Sequence, residues 1–133
     1  MQQFNTNYTP TWTCDEGPPH PEIQNGDLHG SYELDGYGNF RGDVFIRMGS
    51  VTTYGVGPWV FALPFSAAHV SGHGIALKAK SQTSLMMVVR FSDPGLTLAS
   101  YLPDSRMRIG PMWPFQWETD DSLYIQYVGE LHA

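Results

Sequence analysis

Hydrophobic and polar positions alternate with a period of two along most of this chain, in short runs broken by Gly, Pro, Asn and Asp. Tyr8 to Cys14 sets Tyr8, Pro10, Trp12 and Cys14 against three threonines, which predicts a first strand that Pro10 places at an edge or a start. Leu28, Gly30, Tyr32 and Leu34 share one face of a second strand. Asp35-Gly36-Tyr37-Gly38-Asn39 reads as a hairpin turn, because glycine supplies the positive φ angles a tight turn needs. The returning strand carries Phe40, Val44, Phe45, Ile46 and Met48, with Gly42 marking a bulge or a close contact. Trp59 to Pro64 has Trp59, Phe61 and Leu63 on one side and Val60, Ala62 and Pro64 on the other, so cover on both faces is expected.

Farther along, Phe65 to Gly74 reads as a loop, and strands are predicted over Gly74 to Ala79 and Ser84 to Phe91. Asp93-Pro94-Gly95 is a turn, and Leu96, Leu98, Ser100 and Leu102 resume the alternation. Asp104 to Trp117 is irregular. In the last strand, Ser122 to Leu131, Tyr124, Gln126, Val128 and Glu130 oppose Leu123, Ile125, Tyr127 and Gly129. About eight short strands without any 3.6-residue period predict an all-β, single-domain antiparallel β-sandwich or jelly roll. Residues 1–7 form an N-terminal arm and 8–133 the knob.

Composition supports this picture. The 133 residues include 14 Gly and 10 Pro, 14% aromatic and only 15% charged residues, which suits short strands and tight turns. A net charge of −6 leaves no basic face for sequence-independent binding of nucleic acid. The single cysteine, Cys14, excludes an internal disulfide framework and reads as a buried hydrophobe. No apolar run reaches the ~20 residues of a membrane span, and the polar, uncharged Met1–Asn7 does not read as a signal peptide. Synthesis in a cytoplasm without membrane association is the expectation.

Candidate chemistry is sparse. His69 and His73 have a spacing metals use on a helix, but Val-Ser-Gly between them argues for a loop; His20, His29 and His132 are scattered. The carboxylates Asp15/Glu16, Asp120/Asp121 and Glu118 could in principle act as acid and base on a glycosidic bond. Adjacent strand residues point to opposite faces, however, and Asp is favoured in turns for its own sake. There is no Gly-x-Ser-x-Gly elbow, and Tyr54-Gly55-Val56-Gly57-Pro58 precedes a strand instead of a helix, so it cannot cradle a phosphate. No catalytic residue, metal or cofactor is expected.

Aromatic residues are the stronger signal. Pro111 to Trp117 holds Met112, Trp113, Phe115 and Trp117 in one irregular loop, and a domain this small has four Trp and 14 Tyr or Phe to place. That loop closes the end of the fold, anchors a subunit interface or forms a glycan platform. Arg106 and Arg108 are solvated or pair across an interface with Glu118 or Asp120.

Tyr8-Thr9-Pro10-Thr11-Trp12-Thr13, then Asn25 to Tyr32, then Gly49 to Pro64 occur in an order that resembles a small β-domain of tailed-phage virion proteins. Phages of actinobacteria are notable carriers, and the domain usually ends tail-fibre or minor tail proteins. The resemblance covers the first half of the chain through these motifs and the second half through its strand pattern. It implies a trimeric knob with a virion role and no catalysis. With about seven residues ahead of the domain, the expected form is a homotrimeric capsid decoration or minor capsid protein on the particle exterior. It would dock on the major capsid protein or another virion protein. The alternative is a receptor-binding tail-fibre head that contacts host-surface glycan; a glycoside-active enzyme is a third reading. Candidate interface residues are Gln2, Gln3, Phe4 and Asn5 of the arm, with Tyr54, Arg106, Arg108, Trp113, Phe115 and Trp117.

Overall fold

The structure, a computed structural model, describes residues 4–93, 95–101 and 107–132. Among them are nine strands: β1 (Thr6–Tyr8), β2 (Thr11–Cys14), β3 (Asp27–Leu34), β4 (Asn39–Arg47), β5 (Trp59–Ala62), β6 (Ala67–Lys78), β7 (Thr83–Ser92), β8 (Gly95–Ala99) and β9 (Ser122–Leu131). No helix occurs among the described residues. All strands join one antiparallel sheet in the order β1-β3-β4-β9-β6-β7-β8-β5-β2. Strands β6, β7 and β8 follow one another, and β9 returns to lie beside β6, which is a Greek key.

The two ends of the sheet, β1 and β2, are separated in the chain by Thr9 and Pro10 alone. Two residues cannot span a flat sheet of nine strands set ~4.8 Å apart. The sheet must therefore curl until its edges nearly meet. The single first strand expected over Tyr8 to Cys14 is in fact two strands parted at Pro10. Proline has no N–H for the ladder, and at that point the chain leaves β3 and begins to pair with β5.

Curling gives the fold one inner face. Trp12, Phe40, Ile46, Trp59, Phe61, Met87, Leu98, Leu123 and Ile125 form one buried cluster, to which β2 and β4 through β9 all contribute. The expected sandwich is thus built by one continuous curled sheet. Trp12 meets Trp59 edge to face at 4.9 Å, and Cys14 is buried beside them as a small hydrophobe. The two-sided cover expected for Trp59 to Pro64 is not present. Trp59, Phe61 and Leu63 are buried, whereas Val60 and Ala62 are half-buried and Pro64 is exposed.

The loop expected over Phe65 to Gly74 is also corrected, since Ala67–Lys78 is one long strand. Its small residues carry little strand preference of their own. Flanking ladders to β9 and β7 supply the hydrogen bonds that hold it extended.

Candidate functional site

The site is built at the end of the β3–β4 hairpin. Asp35 Oδ1 accepts the N–H groups of Tyr37 (2.7 Å) and Asn39 (3.1 Å), and Oδ2 accepts Asn39 Nδ2 (2.9 Å). Gly36 and Gly38 take φ of 84° and 89°, as the sequence expected of this turn. The Asn39 side chain, then the Tyr37 N–H, hold the Asp35 carboxyl below its usual range.

This turn fixes the register behind it. Glu33 lies opposite Arg41, Arg41 opposite Val128, and Val128 opposite Ser71, giving one outward row across four strands. The next row is Asn39, Glu130 and His69, where an irregularity between Ala67 and His69 shifts the edge of β6. Between the rows runs an open groove of about 750 Å³, lined also by Leu34, Phe40 and Val70. Glu33 and Arg41 form an ion pair. Val128 is 53% exposed and gives the outward row an apolar member beside this pair, whereas Leu34, opposite the core residue Phe40, belongs to the inward row at the sheet end. One row inward, buried Asp43 accepts Ser31 Oγ (2.6 Å), the Ser31 N–H (3.1 Å) and Tyr124 Oη (3.0 Å), tying three strands together.

Tyr54, Arg108 and the aromatic residues of the 111–117 loop lie elsewhere. Trp117 is 3% exposed; its Nε1 donates to the Gly110 carbonyl (2.9 Å) and its ring lies 5.1 Å from Trp59. It is a core residue of this chain, not a surface anchor. Phe115 is half-buried at 4.7 Å from Trp117, with Lys78 Nζ 5.2 Å from its ring centre. Tyr54 stacks on Trp59 and accepts its indole N–H through the backbone carbonyl (2.7 Å); burial, then the charge of Asp121, raises its phenol pKa. The fold thus gathers Tyr54, Phe115 and Trp117 around Trp59. Trp113 is half-buried against the same core, its carbonyl accepting the Gly110 N–H. Arg108 pairs with Asp15 (2.7 Å) within the chain instead of with Glu118 or Asp120.

Nor is the arm a free extension. The Phe4 N–H donates to Ser31 Oγ (3.1 Å), the Phe4 ring lies under the Arg41 guanidinium, and Thr6 and Asn7 belong to β1. Asn5 is exposed and accepts the Thr6 hydroxyl. Gln2, Gln3 and Arg106 lie outside the described residues.

The paired carboxylates have structural duties. Buried Asp121 takes Lys78 Nζ (2.9 Å) and the N–H groups of Ala79 and Glu118, while Asp120 pairs with Arg47 (3.0 Å). His69 and His73 face outward on β6 with Ser71 between them, and no cluster of three metal-ligating side chains occurs among the described residues. Sequence reasoning missed the groove. Its available signals were Val128, an apolar residue in the outward set of β9, and the Glu33/Arg41 pairing that a tight hairpin imposes.

The groove is open and mixed in polarity, with charged, polar and apolar residues along it. No family model matches this chain, and no solved structure matches it. It is 30% identical over 132 residues to the Mu-like prophage FluMu defective tail fiber protein of Haemophilus influenzae. The match takes in 93% of this chain and 20% of that protein, so the chain spans about a fifth of the length of its curated relative. The similarity is thus to a prophage tail fiber protein and runs over both halves of this chain.

Proposed function

We propose that this chain is a non-catalytic recognition and assembly domain of a tail-fibre-type phage virion protein, placed at the tail and contacting host-surface glycan. The observation that carries the reading is the match itself, which covers 93% of this chain and 20% of a tail fiber protein. A fold held by one core and ending in a preformed groove suits a module that works by surface contact. Self-assembly into a trimer belongs to the reading. Its support is the outward row of His29, Phe45, Tyr124, Ile75 and Met86, an aromatic and aliphatic strip across five adjacent strands. A capsid-exterior protein would dock through its own surface or through the arm, and from Phe4 onward the arm is engaged by the domain itself. Antibody labelling of intact particles under the electron microscope tests the placement. Label at the tail supports it, and label over the capsid shell overturns it.

A further inference from the structure

We infer that the groove between the β3–β4 hairpin and β6 binds a neutral or amino-bearing saccharide and rejects acidic sugars. The inference rests on the tail-fibre reading for the source of that sugar, a host surface. Three features argue for it.

A sugar ring presents C–H faces between rims of hydroxyl groups, so its site needs an apolar floor with planar polar groups at the edge. The exposed isopropyl group of Val128 provides the apolar contact on the outward face. Around it stand the carboxylate of Glu130, the imidazole of His69, the hydroxyl of Ser71 and the guanidinium of Arg41. Carboxylate and guanidinium groups can each engage two neighbouring hydroxyls, the first accepting and the second donating.

Charge sets the class. Glu33, Asp35 and Glu130 line the groove against one permanently charged cation, Arg41. Arg41 is matched by Glu33, and Asp35 is occupied by the backbone and side chain of its own turn. Glu130 forms no ion pair among the described residues. The groove is therefore net negative, which disfavours a uronate or a sugar phosphate and favours an ammonium or an uncharged ring. Its volume of about 750 Å³ falls in the small-ligand range. Being open, it will hold one unit weakly and gain strength from repetition across an oligomer.

The test is an NMR titration of the isotopically labelled chain with glucosamine, chitobiose and lactose, and with digalacturonate as the acidic control. Saturable shifts confined to the amides of His69, Ser71, Val128, Gly129 and Glu130 are expected with at least one of the first three. Digalacturonate should bind at least about tenfold more weakly, the scale of one lost charge-assisted hydrogen bond. Glu130→Ala should weaken binding by about tenfold for the same reason, and Val128→Arg should abolish it. Both positions are exposed, so unchanged spectra elsewhere will show that the variants fold. Absence of groove shifts with all three probes, shifts centred elsewhere, or equal binding of digalacturonate would overturn the inference. Tail labelling without groove shifts would sink this inference alone; groove shifts in a protein that labels the capsid would sink the tail placement alone.

Discussion

The phenol oxygens of Tyr8 and Tyr127 lie 2.8 Å apart, although 119 residues separate them in the chain. Each ring crosses a glycine. Tyr8 is paired with Gly30 and Tyr127 with Gly42; a Cβ on Gly30 would stand 2.6 Å from the Tyr8 ring, and one on Gly42 2.5 Å from the Tyr127 oxygen. The close contact anticipated at Gly42 is thus with a tyrosine that ties the edge strand to the centre of the sheet. Burial pushes the Tyr8 phenol up to about 12 and the Tyr127 phenol higher still, so both stay protonated and able to donate.

Tyr8→Phe or Tyr127→Phe should each cost about 1–2 kcal/mol, because the remaining buried hydroxyl loses its partner. The double variant should cost less than the sum of the two. Gly42→Ala should cost about 1–3 kcal/mol or more, since the Ser31 carbonyl also stands 2.5 Å from the added methyl and backbone cannot easily yield. Chemical denaturation measures all four; strict additivity of the tyrosine pair would show that the two hydroxyls act independently.

Asp121 and Asp120 are neighbours in sequence with opposite fates. Asp121→Ala removes a fully buried carboxylate from Lys78 and from two backbone N–H groups, and should destabilise by about 3–5 kcal/mol. Asp120→Ala loses only an exposed pair with Arg47 and should change stability by about 1 kcal/mol at most. Comparable losses from both would mean that Lys78 is not held as described.

Acid should weaken the fold through Asp93 and Glu118. Donation from the Ser66 hydroxyl, then from the Ala67 N–H, holds Asp93 below its ordinary 3.8; the Lys78 and Lys80 ammonium groups hold Glu118 below 4.5. A carboxyl depressed by folding stabilises above its unfolded value, and that contribution disappears as pH falls through the folded value. Thermal stability should therefore decline as pH drops below about 4.5. Asp93→Asn with Glu118→Gln should flatten that limb of the Tm curve. An unchanged slope in the double variant would assign acid sensitivity to other groups.

Much of the strand pattern was legible because alternation reports one-sided burial directly. Leu123, Ile125 and Tyr127 face the core as their spacing predicts, and the Asp35–Asn39 turn is where its glycines place it. Two features were hidden for a physical reason. The split at Pro10 follows from curling, a property of the whole sheet, and β6 holds small residues extended only because both its neighbours pair with it. The second of these also hid the groove. His69 and Ser71, read as loop residues, stand in outward rows with Glu130 and Val128 only once β6 is a strand. Trp117 shows the reverse error: an irregular aromatic segment resembles an exposed platform, yet its indole is spent on Trp59 and the Gly110 carbonyl.

The central claim, that this domain belongs to a tail-fibre-type protein, is tested most directly by its copy number in purified particles, measured by quantitative mass spectrometry against the major capsid protein. The account predicts a small fixed number per particle, in keeping with a tail component. A number rivalling that of the capsid subunits would contradict it and place the protein on the shell.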